Sequence, residues 1–254
     1  MKGAIIIDYK KEREGQIFIN KWGTQIKVIN YVDCDNVEVE FLNHNCKKST
    51  HWNQLKKGTV LSPYDKTKYN IGYLGEGEYS HKTHEKIYNH WHDMLRRCYS
   101  EEYKIKHSTY LGCYVNEEWH NFQNFARWYE DNYYQVENEE MQLDKDILIK
   151  GNKEYGPDTC CFVPKAINSL FTKTNAKRGY LPIGISIKKN RYIVQIQKYG
   201  KVCHLGSFKE IDKAFECYKQ EKENHIKEIA DNYQYIIPDI LYQALYNWEV
   251  EIND

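Results

Sequence analysis

The chain has 254 residues, of which 41% are apolar, and 36 basic side chains balance 36 acidic ones. That is enough apolar material for packed cores, while no run approaches the ~18 apolar residues a membrane span needs, so no membrane partner is expected. A net charge of zero excludes a uniformly basic nucleic-acid coat, and the eight cysteines contain no Cys-x-x-Cys pair that would suggest a zinc ribbon. "MKGAIIIDYKKER" carries too short an apolar run for a signal peptide. A cytosolic location with free thiols is the expectation.

In chain order, residues 15–42 read as three short strands. Ile26 and Val28, then Val37, Val39 and Phe41 across the "DCDN" turn, alternate with period two. "LKKGTVLSPY" reads as a further strand. Residues 1–70 are thus expected to form a small β-barrel or twisted sheet, followed by the linker "YNIGYLGEGEYS". A helix over 83–98 places Ile87, Trp91, Met94, Leu95 and Cys98 on one face. A second helix over 117–130 lines up Trp119, Phe122, Phe125, Ala126 and Tyr129. These stripes read as core.

"MQLDKDILIKGNKEYGPDTCCFVP", residues 141–164, places Asp144 and Asp146 around Lys145 ahead of a turn-rich loop, and "KAINSLFT" follows as a short helix. Beyond the basic linker "KTNAKRG", residues 183–208 read as three strands. In the middle strand Tyr192, Val194 and Ile196 fall on one face, and Arg191, Ile193, Gln195 and Gln197 on the other. Lys198-Tyr199-Gly200-Lys201 is a hairpin turn. A helix over about 209–233, striped by Ile211, Ala214, Phe215, Tyr218, Ile226, Ile229, Ala230 and Tyr233, covers one sheet face and leaves the other free. The expected class is α+β with several domains: 1–70, 80–175, 178–235, and a tail at 236–254.

Charge is segregated. From Thr159 to Lys209 there is no Asp or Glu, yet the window holds Lys165, Lys173, Lys177, Arg178, Lys188, Lys189, Arg191, Lys198, Lys201 and Lys209. Ordinary solvated faces mix both signs. A sheet face or rim bearing Lys188, Arg191, Gln195, Gln197, Lys201 and His204 without an acid suits phosphates and base edges, so double-stranded DNA is the expected partner. Twenty-three tyrosines also leave aromatic side chains for contact with a host protein.

Two segments resemble known families. "IGIS", "RYIVQIQKYGK", "HLGSF" and the helix after them resemble the plant ethylene-response-factor type of DNA-binding domain, which has relatives in phage homing endonucleases. The resemblance implies DNA contacts from Lys188, Gln195, Gln197 and His204, although most of that family's arginines are replaced here. "YNHWHDMLRRCYS", "YLGCYVNEEWHNFQNFARW" and "LDKDILIKGNKEYGPDTCCFVPKAIN" resemble phage HNH endonucleases (His-Me finger proteins), implying a ββα hairpin in a central helical region, one divalent ion such as Mg²⁺, and phosphodiester cleavage in the bacterial cytosol. Asp144 matches the metal-binding aspartate and Asn168 the last metal position. Lys145 stands where the general-base histidine belongs, and Thr159 where a loop-fixing asparagine belongs. Lysine is protonated near neutrality, and beside Asp144 and Asp146 its proton is expected to be held more tightly. Asp146 and Asn152 are further oxygen ligands to hand. His81, His84, His90 and His92 are the upstream alternatives as base, or are simply exposed helix residues. The resemblances leave open a metal-dependent DNA nuclease, a catalytically inactive DNA-binding regulator, or an inhibitor of a host factor.

Overall fold

The computed structural model describes residues 8–171 and 180–252; the basic linker residues Lys173, Lys177 and Arg178 lie outside them. The fold is mixed α+β with several small sheets. By contacts the chain divides into two compact units, Met1–Asp131 and Asn132–Asp254.

In the first unit, α1 (Tyr9–Arg13) leads into a four-stranded antiparallel meander, β1 (Ile17–Ile19), β2 (Gln25–Tyr31), β3 (Val37–Phe41) and β4 (Cys46–Thr50), in that spatial order. The period-two residues Ile26, Val28, Val37, Val39 and Phe41 are buried, and α2 (Trp52–Lys56) closes over them with Trp52 and Leu55. The barrel alternative is corrected: this sheet runs in the order β1-β2-β3-β4 without closing. The expected strand in "LKKGTVLSPY" is also corrected. The fourth strand is the polar "CKKST", which turns only Cys46 and Thr50 inward.

A buried polar knot ties the end of this sheet. Asp65 accepts from Asn20 Nδ2 (2.6 Å), Thr24 Oγ1 (2.5 Å) and the Ser62 amide (2.7 Å). The chain then passes Gly72, where an added Cβ would meet Leu95 and Trp91 at 2.5 and 2.8 Å. Those side chains belong to α3 (Glu85–Tyr99), which is followed by α4 (Glu101–Lys106), the two-residue β5 (Tyr114–Val115) and α5 (Phe122–Asn132). The expected aromatic stripes are the buried ones, and Trp91 Nε1 donates to the Trp119 carbonyl at 2.7 Å. The expected linker is held down: buried Gln123 accepts from the Tyr79 amide and donates to the Leu74 and Tyr79 carbonyls.

In the second unit, β6 (Met141–Asp144), the two-residue β7 (Glu154–Tyr155), β8 (Cys161–Pro164) and α6 (Lys165–Asn168) come first. β6 and β8 pair antiparallel, Asp144 opposite Cys161, so strand, strand and short helix follow in ββα order. The sheet β9 (Ile185–Lys188), β10 (Arg191–Lys198) and β11 (Lys201–Phe208) follows, with β10 central. Both of its turns are two-residue turns with positive φ throughout, Lys189-Asn190 and Tyr199-Gly200, the geometry that matches the twist of paired strands. Gly184 is at φ +74°, and a Cβ there would meet the Tyr218 ring.

One long helix, α7 (Ile211–Asn232), serves two cores. Ala214 and Tyr218 pack with Ile185, Val194 and Ile196 of the sheet. Ile226 and Ala230 pack with Ile147, Val163 and Ile167 of the hairpin and its helix. Residues 236–254, expected as a tail, are corrected: they include α8 (Asp239–Tyr246), whose Leu241 and Leu245 join the hairpin core, and then Val250, which enters the sheet core. The unit boundary at 131/132 therefore falls inside the segment 80–175 expected as one domain, because the hairpin buries its apolar side against α7 and α8.

Asp65→Ala strips three buried donors of their acceptor. Each buried unsatisfied group costs about 1–3 kcal/mol. Denaturant melts are expected to show a loss of at least ~2 kcal/mol in the first unit's transition; an unchanged midpoint would mean the knot is solvated.

Candidate functional site

The hairpin loop is built around Asp144. Its Oδ1 accepts from the amides of Asp146 (2.9 Å) and Ile147 (2.8 Å), an aspartate turn that ends β6 and starts the loop. Loss of water and the charge of Asp146 raise its carboxyl pKa to about 6, against the pull of the two amides and Lys145.

Lys145 is buried, not poised. Its Nζ donates to Asp146 Oδ2 and to the Asn152 carbonyl, each at 2.9 Å, and lies 5.9 Å over the Tyr155 ring. Three committed contacts fix the amine as a brace of the loop. Asn152 forms the loop's second brace: its amide nitrogen donates to the carbonyls of Lys145 (2.6 Å) and Glu154 (2.7 Å), and its oxygen accepts from the Glu154 amide. Thr159 Oγ1 donates to the Glu154 carbonyl at 2.9 Å. Asn152 and Thr159 together thus hold the loop that the resemblance assigned to one asparagine. Asn152, an oxygen ligand by residue type, is here a brace, a role signalled by its place after a glycine in a turn-rich run.

Asn168, at the end of α6, donates from Nδ2 to Gln142 Oε1 at 2.7 Å. Gln142 is two residues before Asp144 on β6 and so shares its face. Asn168 and Asp144 are therefore both tied to the same side of the hairpin. Among the described residues no group of three or more His, Cys, Asp or Glu side chains is arranged to hold a metal. Cys160 and Cys161 are free thiols, and burial pushes both pKa values up, Cys160 to about 12, so neither is a ready thiolate ligand. His81, His84, His90 and His92 belong to the first unit. Burial lowers the pKa of His90 and His92, and His84 Nδ1 contacts Thr83 Oγ1 and the Ser80 amide.

The sheet offers the second constellation. Arg191, Gln195, Gln197 and His204 are exposed on the face away from α7, while Val194 and Ile196 are buried beneath it. Gln195 pairs with His204 across the strands and Arg191 with Lys188; paired residues point to the same face, so these five side chains lie together. A bulge at Leu205, skipped between the pairs Val194↔Gly206 and Gln195↔His204, sets that register. Arg191 is braced by Ser207, through Nε to Oγ (2.7 Å) and Nη2 to the carbonyl (2.5 Å). Lys201 lies at the rim. It pairs with Lys198, whose ammonium bonds Glu221 on α7 at 2.5 Å, so Lys201 shares the helix side and reaches the open face only from the rim. No family model, curated protein or solved structure matches the chain.

Burial holds the Asp144 carboxylate away from the water that would solvate its charge. Its folded pKa near 6 lies above the ordinary 3.8, so the folded state binds the proton more tightly. The stability this provides is full below about pH 4 and lost as pH rises through about 6. Asp144→Asn keeps an acceptor for both amides without the charge. It is expected to raise the Tm at pH 7.5 and to lose most of that advantage at pH 4.5. Thermal melts at the two values decide, and equal gains at both would mean the carboxylate is not strained.

Proposed function

We propose that the chain binds double-stranded DNA through the open face of the β9–β10–β11 sheet, and that its hairpin is an HNH-type hairpin in which metal-dependent cleavage is weak or lost. The observation that carries the first part is the acid-free face of Lys188, Arg191, Gln195, Gln197 and His204. A forked, pre-positioned guanidinium suits a phosphate or a guanine edge, and the two glutamine amides suit base edges in a major groove. The setting proposed is a phage-type protein acting in the bacterial cytosol. Among the described residues no helix is long and apolar enough to cross a membrane.

For the hairpin, ββα order and the charged Asp144 support descent from a nuclease. Asp144 Oδ2 and Asn168 Oδ1 would be the protein's ligands to a Mg²⁺, an ion that binds through few carboxylates and keeps water and phosphate for the rest. Bound there, the ion would polarise a phosphoryl oxygen. The specific observation favouring an inactive DNA-binding regulator is Lys145: its amine is spent on Asp146 and the Asn152 carbonyl, and the loop supplies no histidine in its stead. An inhibitor of a host factor is the reading left if DNA binding fails.

If about five phosphates are contacted, log K falls with log salt at a slope of about −4.5. Lys188→Ala with Arg191→Ala is expected to flatten that slope by about 2, and Lys201→Ala alone by less than 1. A slope near zero for the intact chain removes the DNA reading. With supercoiled plasmid and Mg²⁺ or Mn²⁺, little nicking is expected; robust nicking that disappears with EDTA and in Asp144→Ala would show that the site still cuts.

A further inference from the structure

The first unit carries a surface that the sheet face does not explain. Along α3 the buried stripe of Ile87, Trp91, Met94, Leu95 and Cys98 is flanked by a second stripe at four-residue spacing: Tyr88, His92 and Arg96, all partly exposed. Such spacing keeps side chains on one side of the helix, over about 12 Å of its length.

These side chains are joined by ring and cation contacts. Tyr88 and His92 stack with centroids 6.0 Å apart and planes 24° from parallel. Tyr69 lies 5.5 Å from His92. Its backbone is left-handed, as is that of Asn70, at φ 52° and 58°, an unusual conformation for two successive residues other than glycine. Lys68 Nζ stands 5.7 Å over the Tyr88 ring. Arg96 stacks 5.0 Å over Tyr103 and bonds Asp93 at 3.0 Å. Asp93 is the acid in this group and is already committed to Arg96. Burial, followed by Lys68, lowers the pKa of His92, so its ring is neutral near pH 7, the form that stacks flat without desolvating a charge.

We propose that this stripe, Tyr88, His92 and Arg96 with Lys68 and Tyr69 beside it, is a binding surface for single-stranded nucleic acid. The chemistry is that of a stacking platform. Partly exposed rings accept bases of any sequence, and interleaved cations follow the phosphates. A duplex would present neither open base faces nor unstacked ends to such a row. The proposal stands on the first unit alone and is independent of the sheet reading.

The test uses the full chain and two labelled probes of equal length, an oligothymidine and an abasic deoxyribose-phosphate strand, followed by fluorescence anisotropy. Base stacking on aromatic side chains is worth enough that the oligothymidine is expected to bind at least ~10-fold more tightly than the abasic strand. Tyr88→Leu with His92→Leu is expected to remove most of that difference and leave duplex binding unchanged, while Tyr88→Phe retains it. Lys68→Ala is expected to weaken both single-stranded probes. Tyr88 also touches the Trp91 and Phe122 rings, so circular dichroism accompanies each variant. If the double variant does not fold, His92→Ala decides. The proposal is overturned if both probes bind equally, or if folded His92→Ala and the double variant bind oligothymidine as wild type does. It is also overturned if oligothymidine binding vanishes instead in Lys188→Ala with Arg191→Ala, which would put the strand on the sheet and leave the duplex reading standing. Loss of duplex binding alone would remove that reading and leave this one.

Discussion

The second unit depends on one helix packing on two things. α7 is 22 residues long, about 33 Å, and its length is divided between two apolar partners. Near its start, Ala214 and Tyr218 close the three-stranded sheet; near its end, Ile226 and Ala230 close the hairpin. Neither partner could bury its apolar face without it, and a three-stranded sheet or a single hairpin is marginal alone. The C-terminal segment reinforces the arrangement. Lys150 of the hairpin loop donates to the Glu249 carbonyl at 2.8 Å, and the next residue's amide, Val250, donates to Glu223 of α7 at 2.8 Å. Trp248, 4.4 Å from Phe171, packs against both cores. Sheet and hairpin therefore share one support.

This arrangement bears on the two candidate sites differently. The sheet face needs only rigidity: Val194 and Ile196 are locked below, so Gln195 and Gln197 stand out in a fixed register. The hairpin keeps a charge where loss of solvent disfavours it. Asp144 is retained with a raised pKa beside Asp146, a cost that packing alone does not call for and that is common at functional positions. The charge of Lys145 offsets part of it.

Much of the fold was legible because periodicity survives wherever one side of an element is dry. The alternation from Arg191 to Gln197 and the stripe from Ile87 to Cys98 both mark buried faces directly. β4 was not legible: "CKKST" turns inward only Cys46 and Thr50, four residues apart, and its three outward polar residues leave no alternation to read. "DILYQALY" does not show itself as core in the sequence, because the partners of Leu241 and Leu245 lie far away along the chain. At the site, residue types pointed to Asp144 and Asn168, but burial of Lys145 could not be read, since lysine is rarely buried. The rim position of Lys201 follows from its pairing with Lys198, a register that a two-residue turn does specify.

If DNA lies on the open sheet face, as proposed, the side-chain amides of its glutamines report on it directly. On titrating the full chain with duplex DNA, the NH₂ resonances of Gln195 and Gln197 are expected to shift progressively, while those of Gln123, buried in the first unit, and Gln142, bonded to Asn168, stay in place. Shifts confined to other residues, with Gln195 and Gln197 unmoved at saturation, would contradict the account.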